Sequence, residues 1–107
     1  MEKFEYEVKE SLEDGSVKII INAFSEEFNK YIEFPIIVYY DTGCYLQGFE
    51  FITLKEEDAE ELLAFIAEKV GLTNYEFIEE LVNICEEVCL NKREELDKIY
   101  TLLNSFN

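Results

Sequence analysis

The sequence predicts an α+β fold, β-β-β-β-α-α-α, in which an antiparallel four-stranded sheet comes first and helices pack on one of its faces. Three observations carry this expectation. Apolar residues recur at every second position through the first half and at every third or fourth position through the second. Turn-forming clusters, Glu13-Asp14-Gly15 and Asp41-Thr42-Gly43, cut the first half into strand-length runs. The chain of 107 residues has the length of one domain with one core. Residues 1–107 are therefore expected to form a single α+β domain, with 1–55 the sheet and 56–107 the helical layer.

In the first strand Phe4, Tyr6 and Val8 alternate with Glu5, Glu7 and Lys9, the pattern of a half-buried strand. Gly15 accommodates the positive φ of a tight turn, and Val17 to Phe24 forms the second strand of a hairpin. Ser25 to Tyr31 is a polar connection with room for one helical turn. Phe34 to Tyr40 is the third strand, and Pro35, which cannot donate to a ladder, marks its start or an edge. Cys44 to Leu54 is the fourth strand, with a bulge or close approach at Gly48. The first helix, Glu56 to Val70, carries Ala59, Leu62, Leu63, Phe65 and Ile66 at helical spacing and ends at Gly71. Thr73 and Glu76 form a capping box that starts the second helix. Its apolar face runs through Phe77, Leu81, Cys85 and Val88. Asn91 with Glu94 caps a third helix bearing Leu96, Ile99, Tyr100, Leu102, Leu103 and Phe106; without that break the second and third helices are one.

The charge is unusual for so small a domain. There are 25 acids against 9 bases, no His, and a net charge of -16. Such an excess repels itself and disfavours the compact state, whereas about 2–8 net charges suffice to keep a small domain soluble. Yet 49% of residues are hydrophobic and 15% aromatic, unlike a disordered acidic tail. The anionic groups should therefore hold fixed positions on a folded surface. Residues 1–55 carry 11 acids and 5 bases; residues 56–107 carry 14 and 4, and from 56 to 87 Lys69 is the one base.

Glu56, Glu57 and Asp58 open the first helix, where the macrodipole favours acids; Glu60 and Glu61 follow. Glu76, Glu79, Glu80, Asn83, Glu86 and Glu87 fall at i, i+3, i+4 and i+7, one stripe of the second helix. Like charges at i, i+4 cost about 0.2–0.5 kcal/mol per pair, with neighbours about 5–6 Å apart. A helix selected for stability alone would alternate Glu with Lys. A solvated face is the ordinary use of such residues, Glu being a strong helix former. The alternative use is recognition: a carboxylate row resembles a phosphate row, and duplex DNA carries one charge per roughly 1.7 Å of axis.

Other chemistries find little support. Without His the commonest general base, the commonest zinc ligand and the Ser–His and Cys–His pairs are missing. No phosphate-binding glycine loop or EF-hand pattern occurs among the four glycines. No pair of carboxylates stands apart for glycoside chemistry. Cys85 and Cys89 with Cys44 supply three thiols, but the first two sit on the apolar face, where free Cys packs as a small hydrophobe. No enzyme activity, metal or cofactor is therefore expected. The aromatic group Tyr39, Tyr40, Tyr45, Phe49 and Phe51 lacks the basic neighbours that nucleic-acid stacking needs, and Tyr39 and Tyr40 point to opposite faces, so one is free to anchor a protein contact. The opening residues show no basic and apolar leader and no run spans a bilayer, so a cytoplasmic protein with reduced thiols and no membrane contact is expected.

In composition and charge the chain resembles the small acidic DNA-mimic inhibitors of phages and mobile elements, of the anti-CRISPR and anti-restriction kind. The resemblance implies an inhibitor that occupies the nucleic-acid groove of a basic protein, such as a CRISPR effector or a nuclease, in the bacterial host cytoplasm, without binding nucleic acid itself. It transfers no residue roles. The surface expected to meet the partner is Glu56, Glu57, Asp58, Glu60 and Glu61 with Glu76, Glu79, Glu80, Glu86 and Glu87. Two alternatives share the composition: an immunity protein or antitoxin against a basic nuclease toxin, and a structural or oligomeric accessory protein.

Overall fold

A computed structural model of the chain describes residues 2–52 and 55–105. The strands β1 (Phe4–Ser11), β2 (Val17–Ser25), β3 (Lys30–Tyr40) and β4 (Leu46–Phe51) precede α1 (Glu56–Lys69) and α2 (Asn74–Asn104). The sheet is an antiparallel meander in the order β1-β2-β3-β4, which puts β1 and β4 at opposite edges.

Local chemistry sets the turns. Asp14 Oδ1 accepts both the Ser16 N–H at 3.0 Å and its hydroxyl at 2.6 Å, while Gly15 takes φ +89°. Those two bonds hold the Asp14 carboxyl below its ordinary pKa. The polar connection after β2 contains no helix: the strands extend to Ser25 and from Lys30, and Asn29 turns the chain at φ 52°. Between β3 and β4, Asp41 Oδ1 accepts the N–H groups of Gly43 (2.9 Å) and Tyr45 (3.0 Å). Cys44 there sits at φ 62°, a left-handed conformation costing a non-glycine residue about 1–2 kcal/mol. Arg93 of α2 braces it: Nη1 donates to the Cys44 carbonyl at 2.8 Å, and the guanidinium lies 4.4 Å from the Tyr45 ring centroid.

Pro35 is neither at a strand start nor on an edge, as the sequence suggested; it lies within the inner strand β3, opposite Ile20. In an antiparallel ladder a residue's N–H and C=O face the same neighbour. The Pro35 carbonyl accepts from Ile52 at 3.4 Å, just past the last β4 residue. The missing donor thus faces the β4 side where the ladder has run out. The fourth strand is also shorter than expected, and Thr53 and Leu54 lie outside the described residues. Its irregularity falls where Tyr39 pairs with Gly48 and Tyr40 with Leu46.

Alternate residues of β2 (Val17, Ile19, Ile21, Ala23) and β3 (Phe34, Ile36, Val38) join Ile66, Ala67 and Val70 of the α1 segment and six residues of α2 in one buried cluster. Phe77 ties it together, stacking on Phe4 at 6.1 Å and meeting Phe34 edge-on at 5.9 Å. α1 ends in a Schellman motif: Gly71, at φ +76°, donates to Glu68 and Leu72 donates to Ala67. Thr73 and Glu76 then close a reciprocal capping box.

The expected third helix is not found. α2 is continuous over 31 residues, and Asn91 lies in its interior. No Gly or Pro occurs from 74 to 107, and an interior Asn costs a helix only ~0.7 kcal/mol or less. At 1.5 Å per residue α2 is about 46 Å long, and it outruns the sheet. Its last buried residue is Cys89. Ile99, Tyr100, Leu102 and Leu103, expected to pack on the sheet, are each more than half exposed. Phe106 lies outside the described residues.

Candidate functional site

The capping box fixes where the acidic stripe begins and which way it faces. With Phe77, Leu81, Ile84, Cys85 and Val88 buried, the 3.6-residue period turns Glu79, Glu80, Asn83, Glu86 and Glu87 outward, and all five are exposed. Glu76 belongs to the cap: its carboxylate accepts the Thr73 N–H at 3.0 Å, and its bonds to Thr73 hold its pKa below the ordinary value. From Val70 to Asn91 there are five acids and no base.

One flank of this stripe meets β1. A shallow groove of about 630 Å³ runs between them, lined by Glu2, Glu5, Tyr6, Glu80, Asn83 and Glu87 among others. On the open face of the sheet, Tyr31 donates its hydroxyl to the Glu2 carbonyl at 2.9 Å and reaches a Glu5 carboxylate oxygen at 3.5 Å. Burial and the neighbouring Glu87 carboxylate push the Tyr6 hydroxyl above its ordinary pKa. Lys3, the nearest base in sequence, is directed to the other end: its Nζ stands 4.0 Å from where a β-carbon on Gly71 would lie. The lining offers the carboxylates of Glu2, Glu80 and Glu87 and no cation; Glu5, paired with Asn22, turns its carboxylate to the open face of the sheet, where the Tyr31 hydroxyl reaches it.

Sequence reasoning missed Glu2. Only the meander order, which makes β1 an edge beside α2, brings it to the stripe; Glu5 stays on the solvent side of the strand, as its alternation predicts. The available signal was the strict hairpin order itself.

The acids of α1 do not join this groove. Glu57, Asp58, Glu60 and Glu61 are exposed, and Glu56 opens the helix. Glu60 lines a different groove of about 660 Å³ with Phe49, Glu50, Ile52, Lys55 and Ile78, at the β4 edge. The residues expected to form one surface are therefore divided: Glu80 and Glu87 lie toward β1, Glu86 lies beside Tyr45, Leu46 and Arg93, and Glu60 lies at the β4 edge. Lys69, the one base of 56–87, is occupied at the end of α1: it pairs with Glu27 at 3.1 Å and lies 5.5 Å from the ring centroids of both Phe28 and Phe65.

The thiols are structural in character. Cys85 and Cys89 are buried, and burial pushes the Cys85 thiol up to about 12. Among the described residues, no three His, Cys, Asp or Glu side chains are grouped to hold a metal ion, and no helix is long and apolar enough to cross a membrane. Tyr39, on the open face of the sheet, donates to Glu50, while Tyr40 packs partly against the core.

None of the protein-family models, curated proteins or solved structures compared with the chain matches it.

Proposed function

We propose that this protein is an acidic inhibitor that binds a basic nucleic-acid-handling protein, such as a CRISPR effector or a nuclease, by presenting carboxylates where that protein expects phosphates. The reading rests on the base-free acidic stripe of α2 and its continuation across the groove to Glu2. A rigid helix held by a capping box at one end and by Arg93 further along keeps these charges in register. Preset charges steer encounter and select partners. The working surface is the stripe Glu79, Glu80, Glu86 and Glu87, with Glu2 beside Glu80 and Glu87; the acids of α1 form a second, separate contact. Binding takes place in the cytoplasm of a bacterial host, with no nucleic acid and no membrane in the contact.

The test is capture from a bacterial lysate at low and moderate salt, followed by mass spectrometry, with the wild type and with Glu79, Glu80, Glu86 and Glu87 all changed to Lys. Wild-type chain should retain a basic nucleic-acid-binding protein that washes off as salt rises. The variant should lose it with an unchanged circular dichroism spectrum. Equal capture by the variant overturns the role of the stripe. Neighbouring reading frames separate an inhibitor from an immunity protein, whose gene would adjoin that of a toxin.

A further inference from the structure

β1 is an edge strand, and no other strand among the described residues pairs with its outer side. One bond fixes the phase of its ladder: the Phe24 N–H donates to the Lys3 carbonyl at 2.8 Å. In an antiparallel pair the backbone groups of successive residues face alternate sides. Glu5 and Glu7, opposite Asn22 and Ile20, therefore point theirs at β2, and Phe4, Tyr6 and Val8 point theirs outward. A register shift after Val8 ends this regular run. The opposite edge offers less. β4 has six residues, and by the bond from Ile52 to Pro35 its outward groups include those of Phe51, which is buried.

An outward row of N–H and C=O groups is a template for an extended peptide, which adds as a further strand. Charge selects the peptide. The side chains of an added strand alternate between the two faces of the sheet. Opposite Tyr6 they enter the groove of about 630 Å³, beside Glu2, Glu80 and Glu87. Opposite Glu5 they lie on the open face, against an exposed carboxylate. Opposite charges on paired strands attract and like charges repel, so both faces favour Lys or Arg. The two bases nearby are turned elsewhere: Lys9 pairs with Glu7 at 3.0 Å, and Lys3 Nζ stands 4.0 Å from where a β-carbon on Gly71 would lie. A second copy of β1 would set acids against acids and bring up another body of net charge -16.

We infer that the basic partner docks an extended segment bearing Lys and Arg on the β1 edge, as a fifth strand beside Phe4, Tyr6 and Val8 with basic side chains on both faces. Resting on the inhibitor reading proposed for the stripe, this docking adds backbone pairing to charge pairing. The run from Phe4 to Val8 spans about 14 Å at a strand's rise, so the ladder is short and the flanking carboxylates supply the steering.

The test is titration of the full chain with two capped peptides of equal length and charge, one repeating Lys-Thr-Arg and one repeating Lys-Pro-Arg, read by amide NMR at moderate salt. Pro cannot donate to a ladder, so the second peptide keeps the charge and loses the strand. The first should bind about tenfold more tightly, the equivalent of one or two net hydrogen bonds, and should slow exchange at the amides of Phe4, Tyr6 and Val8. The amides of Glu5 and Glu7, already bonded to β2, should be protected with or without peptide. Val8→Pro removes an outward donor and no ladder bond, so the variant should keep its fold by circular dichroism and lose the tenfold preference. Equal binding of the two peptides to the wild type, or no added protection at Phe4, Tyr6 and Val8, overturns the inference. In lysate capture, a basic protein retained equally by wild type and Val8→Pro overturns the edge docking and leaves the role of the stripe standing. A wild type that captures no basic protein overturns the inhibitor reading and this docking with it. A free chain of two-chain mass that Val8→Pro makes single assigns the edge to a second copy instead.

Discussion

The two halves of α2 belong to one helix and carry one apolar stripe, yet they meet opposite surroundings. From Asn74 to Leu90 the stripe is buried against the sheet and every charged residue is an acid. From Asn91 to Asn104 the same stripe is in solvent and the charges balance. Where the body supplies packing, the helix can carry a like-charged row at a repulsive cost of a few tenths of a kcal/mol per pair. Where the body supplies none, alternating signs favour the helix through pairs such as Lys92 with Glu95 at 3.8 Å. Charge pattern and burial therefore change together along a single element.

The sharpest contrast between the halves is in the side chains of the stripe. Phe77→Ala removes a fully buried ring that joins Phe4 and Phe34 and should cost about 3–5 kcal/mol by urea denaturation. The same truncation at the exposed Leu103 should change the stability of the isolated chain by only about 0.5 kcal/mol or less. Similar losses at both sites would abolish the contrast.

Arg93 stands at the junction. Arg93→Ala gives up the bond to the Cys44 carbonyl and the stacking on Tyr45 and should cost about 1–2 kcal/mol. The loss should show as faster amide exchange in the 41–45 turn, with protection in the core of α2 unchanged. If the turn keeps its protection, Arg93 is not the brace that joins the halves.

The smallest effect at neutral pH is ionisation. Burial raises the Cys85 thiol from 9.0 to about 12, and Tyr6 and Tyr40 are raised above 10.0, again chiefly by burial. These groups hold their protons more tightly when folded. Their contribution is fully present below the unfolded-state values, from about 9 for the thiol, and is lost as pH rises toward the folded values. Denaturation midpoints should hold steady to about pH 9 and then fall. Cys85→Ala should remove the earliest part of that fall. A midpoint flat to pH 11, about two units past the thiol's ordinary value, would deny the protected environment of the packed half.

Much of this was legible in the residues. Alternation gave the four strands; Asp14-Gly15 and Asp41-Thr42-Gly43 gave two of the turns; Gly71, Thr73 and Glu76 gave the end of one helix and the start of the next. Each is a local rule, satisfied within a few residues by backbone bonding or by φ. The place of Pro35 was not legible, because its tolerance depends on where a different strand stops. The count of helices was not either: Asn91 can cap or continue a helix, and the surroundings decide. The acidic stripe was visible from spacing, but its partition was not. Glu80 and Glu87 meet β1 while Glu60 faces β4, because the strand order sets the two edges of the sheet apart.

The sequence by itself determined the four strands, the junction of the two helices at Gly71 and Thr73, the anionic excess and the periodic placement of that charge, since each is set by neighbours along the chain. Tertiary structure alone decided which acids share a groove, and that the apolar stripe of α2 runs out past its cover. Those depend on how far a straight helix of fixed rise extends beyond a sheet, a comparison between elements distant in the chain that no short-range pattern encodes.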